Sequence, residues 1–126
     1  MAAFMKFLIV TVFLFGLFAA GINSQQCSLS NIKVSQAQSG KKVQNKPEWT
    51  VTITNDCICG QSSLTVDCSG FQTVEAVDPS ILKVSGSTCL INNGLPVFET
   101  QPISFNYAWD SASASFKPLS SQINCS

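Results

Sequence analysis

A chain of 126 residues with seven acidic and seven basic side chains and no histidine has little to offer several functional classes. A nucleic-acid binder needs a basic face to neutralise phosphates, yet the lysines here are dispersed and there is no arginine. A Ser-His-Asp or Cys-His catalyst needs an imidazole base, so neither class fits and nucleic acid is not an expected partner.

At the N-terminus, Lys6 precedes an apolar run over residues 7–20, which is followed by Gly21, Ile22, Asn23 and Ser24. Charge, apolar stretch and short side chains in that order describe a secretory signal peptide, and the run is shorter than the roughly 20 residues that span a bilayer. The expectation is a signal peptide over residues 1–24 and one secreted domain over 25–126, with no membrane contact after cleavage. All six cysteines, Cys27, Cys57, Cys59, Cys68, Cys89 and Cys125, lie beyond the cut. An even number in that context predicts three disulfides, with 15 connectivities open to them.

Residues 27–35 carry Leu29, Ile32 and Val34 among polar neighbours, which predicts a first strand. Residues 36–47 are polar, with Gly40 and Pro47 as breakers, and predict a lysine-rich loop. Its Lys41-Lys42 pair reads as solvated charge, with proteolytic processing as the alternative. In residues 48–55, Trp49, Val51 and Ile53 alternate with Thr50, Thr52 and Thr54. This is the clearest strand of the chain, apolar on one face and wettable on the other.

A turn over Cys57-Ile58-Cys59-Gly60 leads to a second alternating run, Leu64, Val66 and Cys68, and residues 71–77 predict a further strand. Residues 81–84 and 88–91 flank Ser85-Gly86-Ser87 as a hairpin. Asn92-Asn93-Gly94 is a tight-turn signal, because Asn and Gly tolerate positive φ. Pro96 makes residues 95–98 an edge or irregular segment, and Ile103, Phe105, Tyr107 and Trp109 alternate as the second unambiguous strand. The serine-rich tail leaves room for a short helix over 110–116 and is pinned by Cys125. Seven to eight short strands without a helical period predict an all-β fold, a small disulfide-stabilised antiparallel β-sandwich.

Chemistry is sparse. Structural zinc sites favour two to four residues between paired cysteines and often recruit histidine, so Cys57-x-Cys59 with Cys68 predicts disulfides rather than metal, and no cofactor is expected. In an extended segment residues 57 and 59 share a face and reach two different partners rather than each other. The Phe105, Tyr107, Trp109 stripe is either a platform for sugar rings or a core face, and Trp49 on the other clear strand favours the core. Asp67 with Glu75 is the carboxylate pair weighed for glycosidic cleavage; with no pocket signature around it, the chain is not expected to be an enzyme. Asn124-Cys125-Ser126 and Asn55-Asp56-Cys57 match glycosylation acceptor patterns, and neither is expected to be used efficiently.

Five stretches together, P-E-W-T-V-T-I-T-N-D-C at 47–57, C-S-G-F at 68–71, V-D-P-S-I-L at 77–82, C-L-I-N-N-G-L-P at 89–96 and I-S-F-N-Y-A-W-D at 103–110, resemble the plant tapetum determinant-like family of small secreted cysteine-rich proteins. Cys27 follows the expected cleavage point at once, as in a shorter homologue. The resemblance implies a signalling protein of the plant apoplast, a ligand of a leucine-rich-repeat receptor kinase ectodomain that specifies cell fate in anther development. Turn chemistry within that implication selects the loops 40–46, 60–63 and 92–96 as receptor contacts, with Lys41, Lys42, Lys46, Gln61, Asn92, Asn93 and the strand-end Asp110 as candidate residues. A cell-wall polysaccharide-binding or defence module without receptor activity is the alternative.

Overall fold

A computed structural model describes residues 26–125; the signal peptide expected over 1–24 lies outside them. Seven strands follow in chain order: β1 (Ile32–Val43), β2 (Lys46–Asn55), β3 (Gly60–Asp67), β4 (Leu82–Ser85), β5 (Thr88–Ile91), β6 (Ile103–Ala108) and β7 (Lys117–Asn124). One sheet has the order β1-β2-β6 and the other β4-β5-β3-β7, with every pairing antiparallel. The expected all-β, disulfide-braced sandwich is the fold.

The core forms where period-two alternation turns one face of each strand inward. Val51, Ile53 and Tyr107 from the first sheet and Leu64, Val66 and Ile91 from the second are fully buried in a single cluster. Phe116 lies at its centre, edge-to-face with Phe71, Phe105 and Tyr107 at centroid separations of 5.6, 5.4 and 5.8 Å. Such pairs contribute about 0.5–1.5 kcal/mol each beyond their buried area. To aim its ring there, Phe116 adopts φ +54°, a left-handed conformation costly for a bulky residue and offset by complete burial.

Several expectations need correction. Residues 36–47 are not a loop: β1 continues to Val43, pairing Ala37 with Thr50 and Gln38 with Trp49, then Lys42 with Pro47 and Val43 with Lys46 after a bulge. Gly40, at φ +95°, sits in that bulge, and Gln44 and Asn45, both at positive φ, make the hairpin turn. Neighbouring backbone, rather than apolar alternation, holds this arm extended. The first strand begins only at Ile32, after a short 3-10 turn over Leu29–Asn31. Residues 71–77 form no strand; their ladder-like bond is Val74 N–H to the Ala108 carbonyl, 3.0 Å. No helix forms over 110–116, and the serine-rich tail supplies β7, paired with β3 across register shifts.

The β4–β5 hairpin and the left-handed Asn92–Gly94 turn are as expected, and residues 95–98 contribute one isolated bridge, Val97 to Gln61. Among the described residues no helix is long and apolar enough to cross a membrane.

The three disulfides are Cys27–Cys57, Cys59–Cys125 and Cys68–Cys89, with Cα separations of 5.8, 4.7 and 5.9 Å. Cys57 and Cys59 thus take different partners, as their spacing predicts. The first two bridges converge on the bend at residues 57–59, while the third joins the end of β3 to β5.

Candidate functional site

Antiparallel pairing gives the sandwich two poles. At the hairpin pole, β1 and β2 meet at Gln44 and Asn45, and β6 ends beside them because Ala108 pairs with Glu48. At the cysteine pole, β2 ends at Asn55, β3 begins at Gly60, and two disulfides close over the bend between them.

The hairpin pole gathers four of the candidate contact residues. Lys41 and Lys42 are exposed near the tip. Lys46 Nζ lies 2.9 Å from both carboxylate oxygens of Asp110 and 5.0 Å above the Trp109 ring. Trp109 is anchored in turn: its N–H donates to the Pro47 carbonyl at 3.2 Å, and its own carbonyl accepts from Trp49 Nε1 at 3.3 Å. Among the described residues, the arrangement presents two cations outside any salt bridge, Lys41 and Lys42, beside a neutralised one. Asn92 and Asn93 belong to the other pole, because their turn leads into Val97, which pairs with Gln61 and accepts from Asn55.

Gln61 leaves the contact set. It lies within β3, where pairing with both Val97 and β7 turns its side chain into the interior, fully buried. There its Nε2 donates to the Ser28 carbonyl at 2.8 Å and its Oε1 accepts from Ser121 at 2.6 Å. Residues 60–63 are strand, not loop.

The aromatic stripe is a core face. Phe105 and Tyr107 are buried, and Trp49 and Trp109 pack partly buried against the same cluster. The Tyr107 hydroxyl donates to Gln36 Oε1 at 2.6 Å and accepts from Ser113 N–H at 3.2 Å. Burial raises its pKa above the ordinary phenol value. Phe105 and Tyr107 are thereby committed to the core, while Trp49 and Trp109 stay partly exposed.

A carboxyl pair that sequence reasoning missed lies behind the lysines. Glu48 is 3% exposed and accepts from Ser39 Oγ at 2.6 Å, a bond that holds its pKa below the usual glutamate value. Residues 73–75 fold over it, and Glu75 comes within hydrogen-bonding reach of Glu48; burial, then that neighbour, push the Glu75 pKa up. Glu75 Oε1 is buried and finds no donor among the described residues. No sequence pattern links positions 48 and 75.

The two carboxylates weighed together for catalysis belong to separate constellations. Asp67 accepts from the hydroxyl and N–H of Ser69 at 2.6 and 2.9 Å, which lowers its pKa, whereas Glu75 faces Glu48. A cavity of about 300 Å³ lies between the first 3-10 turn and β7, lined by Leu29, Ser30, Ile32, Lys117 and Pro118. It contains no acid, thiol or base beyond one lysine. The Cys27, Cys59 and Cys125 sulfurs lie within 4.8 Å of one another, yet all three are in disulfides and present no thiolate to a metal.

Of the two glycosylation patterns, Asn55 is buried with its amide committed to the Cys59 and Val97 carbonyls, which leaves no room for a glycan on the folded chain. Asn124 is exposed at the end of β7, with its amide on Ser62 Oγ at 2.8 Å.

Comparison with known proteins bears on the whole domain. A family model described as "Tapetum determinant 1, C-terminal" matches residues 28–126. The chain is 32% identical over 87 residues to TPD1 protein homolog 1 of Arabidopsis thaliana, covering 67% of this chain and 49% of that protein. It is 30% identical over 103 residues to an uncharacterized Arabidopsis thaliana protein, covering 79% and 80% of the two. The match spans about half the length of the first relative. No solved structure gives a significant match.

Proposed function

Because the chain belongs to the tapetum determinant 1 family, we propose that it is a secreted plant signalling ligand of the apoplast that binds the ectodomain of a leucine-rich-repeat receptor kinase in the control of cell fate during anther development. The observation that carries this reading is the extent of the family match, residues 28–126, over a domain whose six cysteines all close into bridges. Rigid bridging lowers the ordering cost of binding to an extended concave solenoid. The contact set is Lys41, Lys42, Lys46 and Asp110 at the hairpin pole, with Asn92 and Asn93 at the other. The protein has no enzymatic role in this reading, and no metal or cofactor enters it.

A polysaccharide platform receives no support from the aromatic residues, since Tyr107 is fully buried and Trp49 and Trp109 are packed against the core. The deciding experiment is saturable binding of the oxidised protein to a panel of leucine-rich-repeat receptor kinase ectodomains. Binding that disappears on reduction is expected; absence of binding across the panel overturns the reading.

A further inference from the structure

Two acceptors that face each other need a proton between them. Glu48 is almost completely buried with Ser39 donating to it, and Glu75 lies within hydrogen-bonding reach of Glu48 with one oxygen buried and without a donor among the described residues. Two carboxylates cannot bond to each other, whereas a carboxylic acid donates strongly to a carboxylate. The charged groups facing the pair do not remove the conflict. Lys41 from β1 is a single exposed cation against two acids. Lys46 and Asp110 are bonded to each other. Ser39 from β1 and Thr73 beside Glu75 bring only hydroxyls, and β6 brings the uncharged Ala108.

We propose that Glu48 and Glu75 hold one proton between them, and that this acid–carboxylate pair is a clip fastening residues 73–75 onto the hairpin pole, which opens when the proton is lost to solvent. Residues 73–75 are otherwise held by three bonds, Val74 N–H to the Ala108 carbonyl at 3.0 Å, Ala108 N–H to Thr73 Oγ1 at 3.0 Å, and Gln44 Nε2 to the Val74 carbonyl at 3.5 Å, between flanks fixed by Gln72 bonded to Ser113 and by Phe71 and Val77 packed on the core. Deprotonation leaves two adjacent carboxylates under that segment, and their repulsion acts directly on these bonds.

The direction with pH follows from the two shifts. Glu75, raised, contributes fully below the ordinary glutamate range, and its contribution is lost as pH rises through its folded value. Glu48, lowered, contributes above that range and loses its contribution as pH falls through its own folded value. The clip is therefore tightest in the mildly acidic interval between them, where the pair carries one proton. Clip closure is independent of whether the lysines contact a receptor.

Amide hydrogen exchange of the oxidised protein across a pH series, corrected for intrinsic rates, tests the clip. In the wild type, opening at the Val74 amide rises toward tenfold per pH unit above the ordinary glutamate range, the limit for release of one proton, and then levels off. Glu75→Gln keeps a donor on Glu48 at every pH and removes this dependence. An opening rate in the wild type that is independent of pH, or an unchanged slope in Glu75→Gln, overturns the proposal. Should that variant not fold, carboxyl 13C titration of the wild type decides instead. A Glu75 midpoint above that of a free glutamate, returned to the ordinary range or below by Glu48→Gln, supports the clip, and an ordinary midpoint in the wild type rejects it.

Discussion

The side-chain amide of Asn55 donates to the backbone carbonyl of Val97 across 42 residues of sequence, at 2.9 Å. The same nitrogen donates to the Cys59 carbonyl at 2.8 Å, and Asn55 Oδ1 accepts from Cys57 N–H at 3.1 Å. One buried side chain thus ties the end of β2 to the cysteine bend and to the segment bridging β3. Replacing it with alanine takes the side-chain donor from the Cys59 carbonyl and the acceptor from Cys57 N–H, while the Val97 carbonyl keeps the Gln61 N–H, a loss of about 1–3 kcal/mol. Chemical denaturation of Asn55→Ala should show a lower midpoint with an unchanged slope; wild-type stability would mean that the bend is held by the disulfides alone.

Closing loops of 30, 66 and 21 residues, the bridges stabilise by roughly 3–4 kcal/mol each in the chain-entropy account. Together they match the roughly 5–15 kcal/mol net stability of an ordinary domain. Full reduction should therefore unfold the protein, with loss of near-ultraviolet circular dichroism. The double variant Cys68→Ala/Cys89→Ala should remain folded but melt at lower temperature, since both sulfurs are buried.

Tyr107 gives a spectroscopic pH probe, because it is the only tyrosine of the chain. Its folded pKa is raised above the free phenol value, so its contribution to stability is complete below the ordinary tyrosine pKa and is lost as pH rises through the folded value. Absorbance titration should place its ionisation above that of free tyrosine and make it cooperative with alkaline unfolding. Tyr107→Phe breaks the link from Gln36 to Ser113 and should cost about 1–2 kcal/mol; an ordinary phenol titration in the folded protein would contradict the burial argument.

Charge reversal separates contact from structure at the hairpin pole. Lys41 and Lys42 are exposed, but Lys41 also faces Glu48 and Glu75, so Lys42→Glu should alter stability by no more than about 0.5 kcal/mol, whereas Lys41→Glu/Lys42→Glu adds a third acid beside that pair and should destabilise further. Receptor association should slow by roughly tenfold, with a reduced salt dependence. Lys46→Ala and Asp110→Ala break a pair whose side chains are 30% and 66% exposed, worth about 0–1 kcal/mol. Unchanged association rates in the double lysine variant would remove the hairpin tip from the contact set.

The strands legible in the sequence are those with one buried face. β2 and β6 announce themselves because Val51, Ile53, Phe105 and Tyr107 are buried while Thr50, Thr52, Ser104 and Asn106 are not. The distal arm of β1 and the whole of β7 carry no such alternation; residues 37–42 are exposed throughout, and pairing partners remote in sequence hold them extended. Gln61 and Glu48 are polar residues in strands, and nothing local distinguishes a polar side chain that will find a buried partner from one that faces water. The partner of each, Ser121 for Gln61 and Glu75 for Glu48, is fixed only by tertiary packing. The cysteine spacing favoured different partners for Cys57 and Cys59 but could not choose among the 15 connectivities.

Cys27 bonds to Cys57 and Cys125 bonds to Cys59, so both extremities of the described chain are stitched to one short bend at the cysteine pole. A fluorophore, affinity tag or surface tether attached at residue 26 or residue 125, the ends of the described chain, leaves the molecule from that same pole and points the lysine hairpin away from the support. Immobilised protein would display that hairpin outward, and a linker joining residues 26 and 125 needs to cross only the width of two neighbouring disulfides. That geometry makes the domain a natural candidate for circular permutation, with the exposed turn at Gln44 and Asn45 as the place to open it.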